Sequence, residues 1–118
     1  MFSVDPVTKQ ITMHRGDTGS VVYHFTGYEF QSDDRVLWTM KSSNGTIVKE
    51  EVLVPSDQSV VVEFLNADTD MLQPGQYNYD IRIVIDPVYE SGRLVDGTIV
   101  TTPESPLNIT LLGTVGQI

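Results

Sequence analysis

The clearest hydrophobic pattern in the chain covers residues 77–85. Apolar side chains occupy every second position of this segment, namely Tyr77, Tyr79, Ile81, Ile83 and Ile85. The positions between them are polar except for Val84. Because successive side chains point to opposite faces of a strand, this period of two predicts a β-strand with one face in the core. We expect this strand to lie at the centre of a sheet.

Turn residues flank the predicted central strand. Pro74-Gly75 stands before it, where proline presets its own φ and glycine tolerates a positive φ. Gly75 is therefore assigned a structural role. The strand is expected to end at Asp86-Pro87, and residues 87–92 are expected to form a polar loop.

Shorter apolar alternations predict further strands at residues 10–14, 20–26, 35–41, 46–54, 59–65, 94–101 and 107–111. Asn44-Gly45 predicts a two-residue type I′ hairpin turn. Gly97 lies inside a predicted strand and indicates a bulge or a close backbone approach. Residues 66–72 carry the one helical signal, enough for a short helical turn capped by Asn66 or Asp68.

These short strands, separated by turn signals, predict an all-β fold. The spacing of about eight to twelve residues is typical of an antiparallel β-sandwich of roughly 7–9 strands. The length of 118 residues fits one domain. We assign an N-terminal arm to residues 1–9, the sandwich to residues 10–112 and a C-terminal tail to residues 113–118.

Three residues indicate an immunoglobulin-like sandwich. Trp38 lies in mid-strand on an apolar face, where such folds bury a tryptophan. Tyr77 follows a turn, like the corner tyrosine whose hydroxyl bonds to upstream backbone. Tyr79 stands where antibody domains place a cysteine. All three are predicted to be structural residues.

Composition narrows the function classes. Sixteen acidic residues against seven Lys and Arg give a formal charge of −9, which disfavours binding to nucleic acids and anionic membranes. The chain contains no cysteine, so the fold relies on neither disulfides nor thiolate metal sites. The first residues lack the basic and apolar regions of a signal peptide, and we expect a soluble product made in the cytosol.

Catalytic signatures are not found in the sequence. Carboxylates are available for a glycosidase-like pair, but no context singles two of them out: Glu50, Glu51, Glu63, Asp80 and Asp96. There is no nucleophile elbow, phosphate loop or histidine-based triad. We therefore predict a protein that is not an enzyme and needs no cofactor.

Three short motifs have both a functional and a structural interpretation. Residues 15–17 spell the integrin-binding triplet Arg-Gly-Asp, but Gly16 and an Asx turn at Asp17 also explain them. His14, His24 and Asp17 could bind a metal only if the fold brought them together. Residues 68–70 could offer carboxylates to calcium, although helix capping is the simpler explanation. In each case the structural interpretation is favoured, and no metal site is predicted.

Aromatic residues in predicted loops are the candidate contacts with a ligand or partner. Tyr28, Phe30 and Tyr89 could stack on sugars if their rings are exposed. They could equally close the open ends of a sandwich. The sequence leaves both interpretations open.

Most of the chain resembles small virion domains of tailed bacteriophages and prophages, and in particular the family typified by the N-terminal domain of the baseplate upper protein. The matching segments are residues 11–18, 36–41, 72–81 and 95–100, together with the closing strand. The resemblance implies an immunoglobulin-like module for assembly, docking or attachment. Such family members often carry a fibre or receptor-binding region after this domain. Because this chain ends at Ile118, a stand-alone adaptor, anchor or capsid-decorating subunit is expected.

The function predicted from the sequence is thus a non-enzymatic structural role in a phage or prophage particle. The expected partners are other virion proteins, such as capsid, tail or fibre subunits, with homo-oligomers in the particle. The expected location is the virion, after synthesis in the host bacterial cytoplasm. A carbohydrate-binding or host-adhesion module that uses the loop aromatics is one alternative, and an ordinary cellular immunoglobulin-like interaction domain is another.

Overall fold

The computed structural model describes residues 2–101 and 106–113, which form nine β-strands and one short helix. The elements in chain order are β1 (Ser3–Val4), β2 (Ile11–His14), β3 (Gly19–His24), β4 (Arg35–Ser42), β5 (Ile47–Leu53), β6 (Ser59–Phe64), α1 (Asn66–Thr69), β7 (Gly75–Glu90), β8 (Arg93–Thr101) and β9 (Leu107–Leu112). The all-β prediction is confirmed. The C-terminal tail predicted at residues 113–118 lies almost entirely outside the described residues.

Strand β7 is the centre of the larger of two sheets, as its alternating sequence predicts. The order of this sheet is β1-β2-β9-β7-β4-β5, and β8 also pairs with β7. One edge of β7 binds β4, with Trp38 opposite Ile81. The other edge binds β9 over its first residues and β8 over its last ones. The smaller sheet consists of β3 and β6.

One pair of strands contradicts the prediction of an antiparallel fold. Strands β2 and β9 are parallel, with Ile11 opposite Ile109 and Met13 opposite Leu111. The larger sheet is therefore mixed, and the prediction of purely antiparallel strands is wrong here. Parallel neighbours need a long crossover, and nearly the whole domain lies between these two strands. Alternation of apolar residues reports the face of a strand but not its direction, so the sequence pattern could not show this.

The core lies between the two sheets and draws side chains from both. Its buried apolar cluster joins Tyr23 and Phe64 of the smaller sheet to Trp38, Tyr79 and Ile81 of the larger one. The Trp38 ring stacks on Tyr79, with centroids 5.2 Å apart, and meets Phe64 edge-on at 5.6 Å. Such aromatic contacts add to the stability that burial of the rings provides.

Strand β7 continues further than its sequence predicts. It passes through Asp86-Pro87 and ends at Glu90, so both the predicted end and the predicted loop at residues 87–92 are wrong. The pairing with β8 shifts register between Ile85 and Val88, and Asp86 has a φ of 51°. A bulge tolerates proline because it leaves residues of the bulged strand unpaired. Strands β7 and β8 are joined by a tight turn at residues 91–92, and both of these residues have a positive φ.

Two local predictions are corrected in a similar way. The β4–β5 turn is not type I′, because Gly45 has a φ of 88° whereas Asn44 does not have a positive φ. Instead, the Asn44 side-chain oxygen accepts the backbone N–H of Thr46 at 3.1 Å and stabilises a longer loop. The helix is shorter than residues 66–72, and the Asp68 carboxylate accepts the N–H of Leu65 at 2.7 Å. The residue at the N-cap position is Leu65, so neither Asn66 nor Asp68 is the N-cap, and Asp68 supports the start of the helix from its third position instead.

Candidate functional site

The loop between β3 and β4 holds two of the three candidate contact residues. Tyr28 and Phe30 are partly buried and pack edge-on, with ring centroids 4.9 Å apart. Phe30 also meets Phe25 edge-on at 5.3 Å, and both phenylalanines pack against the core. The Tyr28 hydroxyl donates to the Asp34 carboxylate at 2.9 Å. Partial burial and this carboxylate raise the pKa of Tyr28. The packing favours the interpretation in which these rings close one end of the core.

An open pocket of about 410 Å³ lies beside this aromatic cluster. Its walls come from the β3–β4 loop and the β5–β6 loop, and include Phe30 and the acidic residues Glu29, Asp34 and Asp57. The Asp34 carboxylate is already used, because it accepts the Tyr28 hydroxyl and the Gln31 N–H. The side-chain oxygen of Gln58, another wall residue, is buried and has no hydrogen-bond partner among the described atoms.

Tyr89 lies on a different element from the other two candidates. It belongs to β7, beyond the bulge, where it pairs with Leu94 and is 44% exposed. The strand register nevertheless places this part of the hairpin at the pocket end of the molecule. Arg35, the first residue of β4 after the aromatic loop, pairs with Val84, and β7 continues past that point.

The four residues with predicted structural roles do not line the pocket beside Phe30. The Trp38 N–H donates to the Tyr23 hydroxyl at 3.3 Å, and the Tyr79 hydroxyl donates to the carbonyl of Lys9. The Tyr77 hydroxyl donates to the carbonyl of Gln73 at 2.6 Å, the bond expected of a corner tyrosine. Gly75 has a φ of 149°, so a positive-φ residue does begin the central strand.

Burial also affects the ionisation of the two core tyrosines. It raises the pKa of Tyr23 to about 12, although hydrogen bonds with Tyr79 and Trp38 partly oppose the shift. Burial raises the pKa of Tyr79 as well, with a further contribution from Tyr23. Both hydroxyls are therefore neutral at physiological pH and act as structural hydrogen-bond partners.

The structure holds the Arg-Gly-Asp triplet by hydrogen bonds within the fold and places the two histidines in different sheets. In the Arg-Gly-Asp triplet, Asp17 accepts the N–H of His14 at 2.9 Å, and the Gly16 N–H donates to Thr69 at 2.8 Å. The triplet is thus anchored to α1. His14 lies in the larger sheet and His24 in the smaller one. Among the described residues, no three metal-ligating side chains form a cluster.

The acidic residues considered for catalysis lie on four strands, and two of them share a face of the larger sheet. Glu50 accepts the Thr39 hydroxyl, Glu51 binds Lys49, and Asp80 lies 3.5 Å from Arg82. None of the five candidates, which also include Glu63 and Asp96, lines the pocket beside Phe30. The register places Glu50 and Asp80 on one face of the larger sheet, on either side of Thr39, whereas Glu63 lies on β6 and Asp96 on β8.

Sequence reasoning missed an exposed surface on the β7–β8 hairpin. We call residues 86–100 the arm, which is distinct from the N-terminal arm at residues 1–9. Its large apolar side chains are between 44% and 49% exposed and comprise Val88, Tyr89, Val95, Ile99 and Val100. Among the described strands, β8 pairs with β7 alone, so its outer edge is free. A free edge with exposed apolar side chains is typical of an interaction surface.

A sequence signal for this surface was present in β8. Leu94-Val95 and Ile99-Val100 place neighbouring apolar residues on both faces of the strand, whereas a strand with one wet face alternates. No helix in the described parts of the chain is long and apolar enough to cross a membrane. Comparison with known proteins adds no assignment: no protein-family model matches the sequence, and no curated protein matches it either.

Proposed function

We propose that this chain is a non-enzymatic structural protein of a tailed bacteriophage or prophage particle. It serves as an immunoglobulin-like adaptor, anchor or capsid-decorating subunit that docks on other virion proteins. The observation that carries the docking role is the arm, with its free β8 edge and exposed apolar side chains. The virion setting comes from the sequence resemblance.

The immunoglobulin-like part of the proposal is supported by strand order. A β9-β7-β4-β5 arrangement on one side of the core and a β3-β6 pair on the other match the order of sheets in that architecture. The buried Trp38 on β4 and the bond from Tyr77 to Gln73 support it further. In this proposal β1 and β2 add to the β9 edge, and the parallel β2–β9 pair is a variation at that edge.

Docking follows from the chemistry of the arm. An incoming strand or loop can hydrogen-bond to the free edge of β8, while apolar side chains on the arm bury surface against the neighbour. In a particle with many copies, weak contacts of this kind add through avidity. The net charge of −9 keeps the free subunit soluble before it docks.

The test is to locate the chain in particles from the strain that encodes it. Particles are purified on a density gradient, the chain is quantified by mass spectrometry, and its position is mapped by immunogold labelling. We expect the chain at a fixed ratio to the major capsid protein and at one site on the particle. Recovery of the chain in the soluble cell fraction but not in particles would overturn the virion role.

Carbohydrate binding is the second candidate, and the pocket beside Phe30 favours it. An aromatic ring next to carboxylates offers the stacking and hydrogen bonds that sugars use. We expect any such binding on a glycan array to be lost in Glu29→Ala, which alters a pocket wall. Glu63→Ala, an exposed acid outside the pocket, is the matched control. Binding that survives Glu29→Ala would exclude this pocket.

A further inference from the structure

The polarity pattern of β8 reads the same in both directions from Gly97. On either side of this glycine stand one polar residue, two aliphatic residues and one polar residue. The strand reads Arg93, Leu94, Val95, Asp96, Gly97, Thr98, Ile99, Val100 and Thr101. A strand with this symmetry can pair with a copy of itself and match every apolar residue with an apolar one.

The structure leaves the β8 edge available for such a pairing. Among the described strands, β8 has β7 on one side and no strand on the other. Val95 and Ile99 are 49% and 44% exposed. The strand also contains neither lysine nor proline, two residues that commonly block pairing at sheet edges.

We propose that two copies of this chain associate through their β8 strands, antiparallel and across a two-fold axis at Gly97. In this register Val95 of one copy lies opposite Ile99 of the second, and Leu94 lies opposite Val100. The two hairpins then form one four-stranded sheet. A two-fold contact of this kind closes on itself and produces a dimer rather than a fibre. The inference is independent of the virion setting, because it concerns the isolated chain, in which no virion partner occupies the β8 edge; a partner strand that pairs with this edge in a particle would replace the second copy.

Gly97 suits the position on the axis. Its φ is 154°, and an added Cβ would lie 2.6 Å from a methyl carbon of Val84 and 3.2 Å from the carbonyl of Ile85. The backbone of β8 therefore packs closely on β7 where β7 bulges. On the axis two glycines face each other, so no side chains need to be accommodated at the centre. The pairing of the two strands shifts twice here: the first shift places an extra residue on β7 between Ile85 and Val88, and the second places one on β8 at Val95. Strand β8 nevertheless continues without a break from Arg93 to Thr101.

Size and charge make this a weak dimer. Nine residues of strand contact bury less than the roughly 800 Å² per partner of a standard interface. The chain carries a net charge of −9, and the two Asp96 carboxylates become diagonal neighbours in the proposed register. Because salt screens this repulsion, the dimer strengthens as ionic strength rises.

The experiment is sedimentation velocity of the whole chain over a series of protein concentrations. The series extends to about 1 mM, which is near the dissociation constant of a weak complex. We expect the native chain to dimerise and Val95→Lys to weaken the dimer roughly tenfold, since both symmetric pairs lose an apolar partner. Val61→Lys changes an exposed valine on β6 and is expected to dimerise as the native chain does.

The register is tested by two double variants that differ in the sign of one charge. Val95→Lys with Ile99→Glu places opposite charges across both symmetric pairs and is expected to restore the dimer, which then weakens with salt. Val95→Lys with Ile99→Lys places like charges there and is expected to stay monomeric. Circular dichroism confirms that each variant is folded. A monomeric native chain, or equal behaviour of the two double variants, would overturn the proposal.

Discussion

The indole N–H of Trp38 donates a hydrogen bond to the hydroxyl of Tyr23 across the core, over 3.3 Å. Trp38 belongs to the larger sheet and Tyr23 to the smaller one, so this bond links the two sheets. Both side chains are buried. A buried donor that loses its acceptor bears the full cost of desolvation, which makes this pair a sensitive point of the fold.

Tyr23→Phe should therefore destabilise the domain by about 1–3 kcal/mol, because the Trp38 N–H is left without its acceptor. Urea unfolding monitored by tryptophan fluorescence measures the free energy of unfolding. Tyr89→Phe removes a hydroxyl from an exposed ring and is expected to change stability by less than about 0.5 kcal/mol. Equal effects of the two substitutions would show that the bond contributes little.

Stability should fall as the pH rises above the ordinary tyrosine range. Burial raises the pKa of Tyr23 to about 12 in the folded state, against the ordinary tyrosine pKa of about 10 in the unfolded chain. Below pH 10 both states keep the proton, so the stabilisation is fully present. Between about pH 10 and 12 the unfolded state releases the Tyr23 proton before the folded state does. The free energy of unfolding therefore falls by about 1.4 kcal/mol per pH unit in this range. Urea unfolding from pH 8 to 12 measures this, and a flat profile would contradict the burial of Tyr23.

Tyr77→Phe tests the corner before β7. The variant loses the bond from the hydroxyl to the Gln73 carbonyl but keeps the buried ring, so we expect a loss of about 0.5–1.5 kcal/mol. Chemical denaturation measures the loss. Hydrogen exchange should also rise at residues 73–76 more than in β3, and uniform exchange across the domain would argue against a local role for this bond.

Gly97→Ala tests the close contact between β8 and the bulged part of β7. The added methyl group collides with Val84, and the φ of 154° disfavours any residue with a Cβ. We expect faster limited proteolysis within residues 86–100. Gly27→Ala, also at a positive φ but with open space around it, is the control for backbone strain alone. Equal proteolysis of the arm in both variants would contradict the packing of Gly97 on Val84.

Sequence patterns predicted strand positions well, because alternation directly reports which face is buried. Residues 77–85 do form the central strand, with Tyr77, Tyr79 and Ile81 in the core. The end of β7 was missed because Asp86-Pro87 is a signal for a break, and a bulge carries the strand through it. The parallel partner of β2 was missed because its pairing depends on contacts between the two ends of the domain.

The candidate contacts were predicted only in part. Tyr28 and Phe30 are loop aromatics in the sequence, but whether such rings face solvent depends on neighbours such as Phe25, which the pattern does not reveal. Tyr89 was assigned to a loop and lies on a strand instead. The neighbouring apolar residues of β8 were a sequence signal for the arm, but the exposure of Ile99 and Val100 depends on β8 having one neighbour among the described strands, which the pattern does not reveal.

The central claim is that the arm docks this chain on the particle. The most direct test measures incorporation of Val88→Lys with Tyr89→Lys, which alters the arm on β7 and leaves the β8 edge unchanged. Val22→Lys with Val61→Lys changes an exposed pair on the smaller sheet and is the matched control. Mass spectrometry of gradient-purified particles should show the arm variant depleted at least about tenfold, as loss of roughly 1.4 kcal/mol of binding predicts, and the control at the native level. Incorporation of the arm variant at the native level would contradict the account.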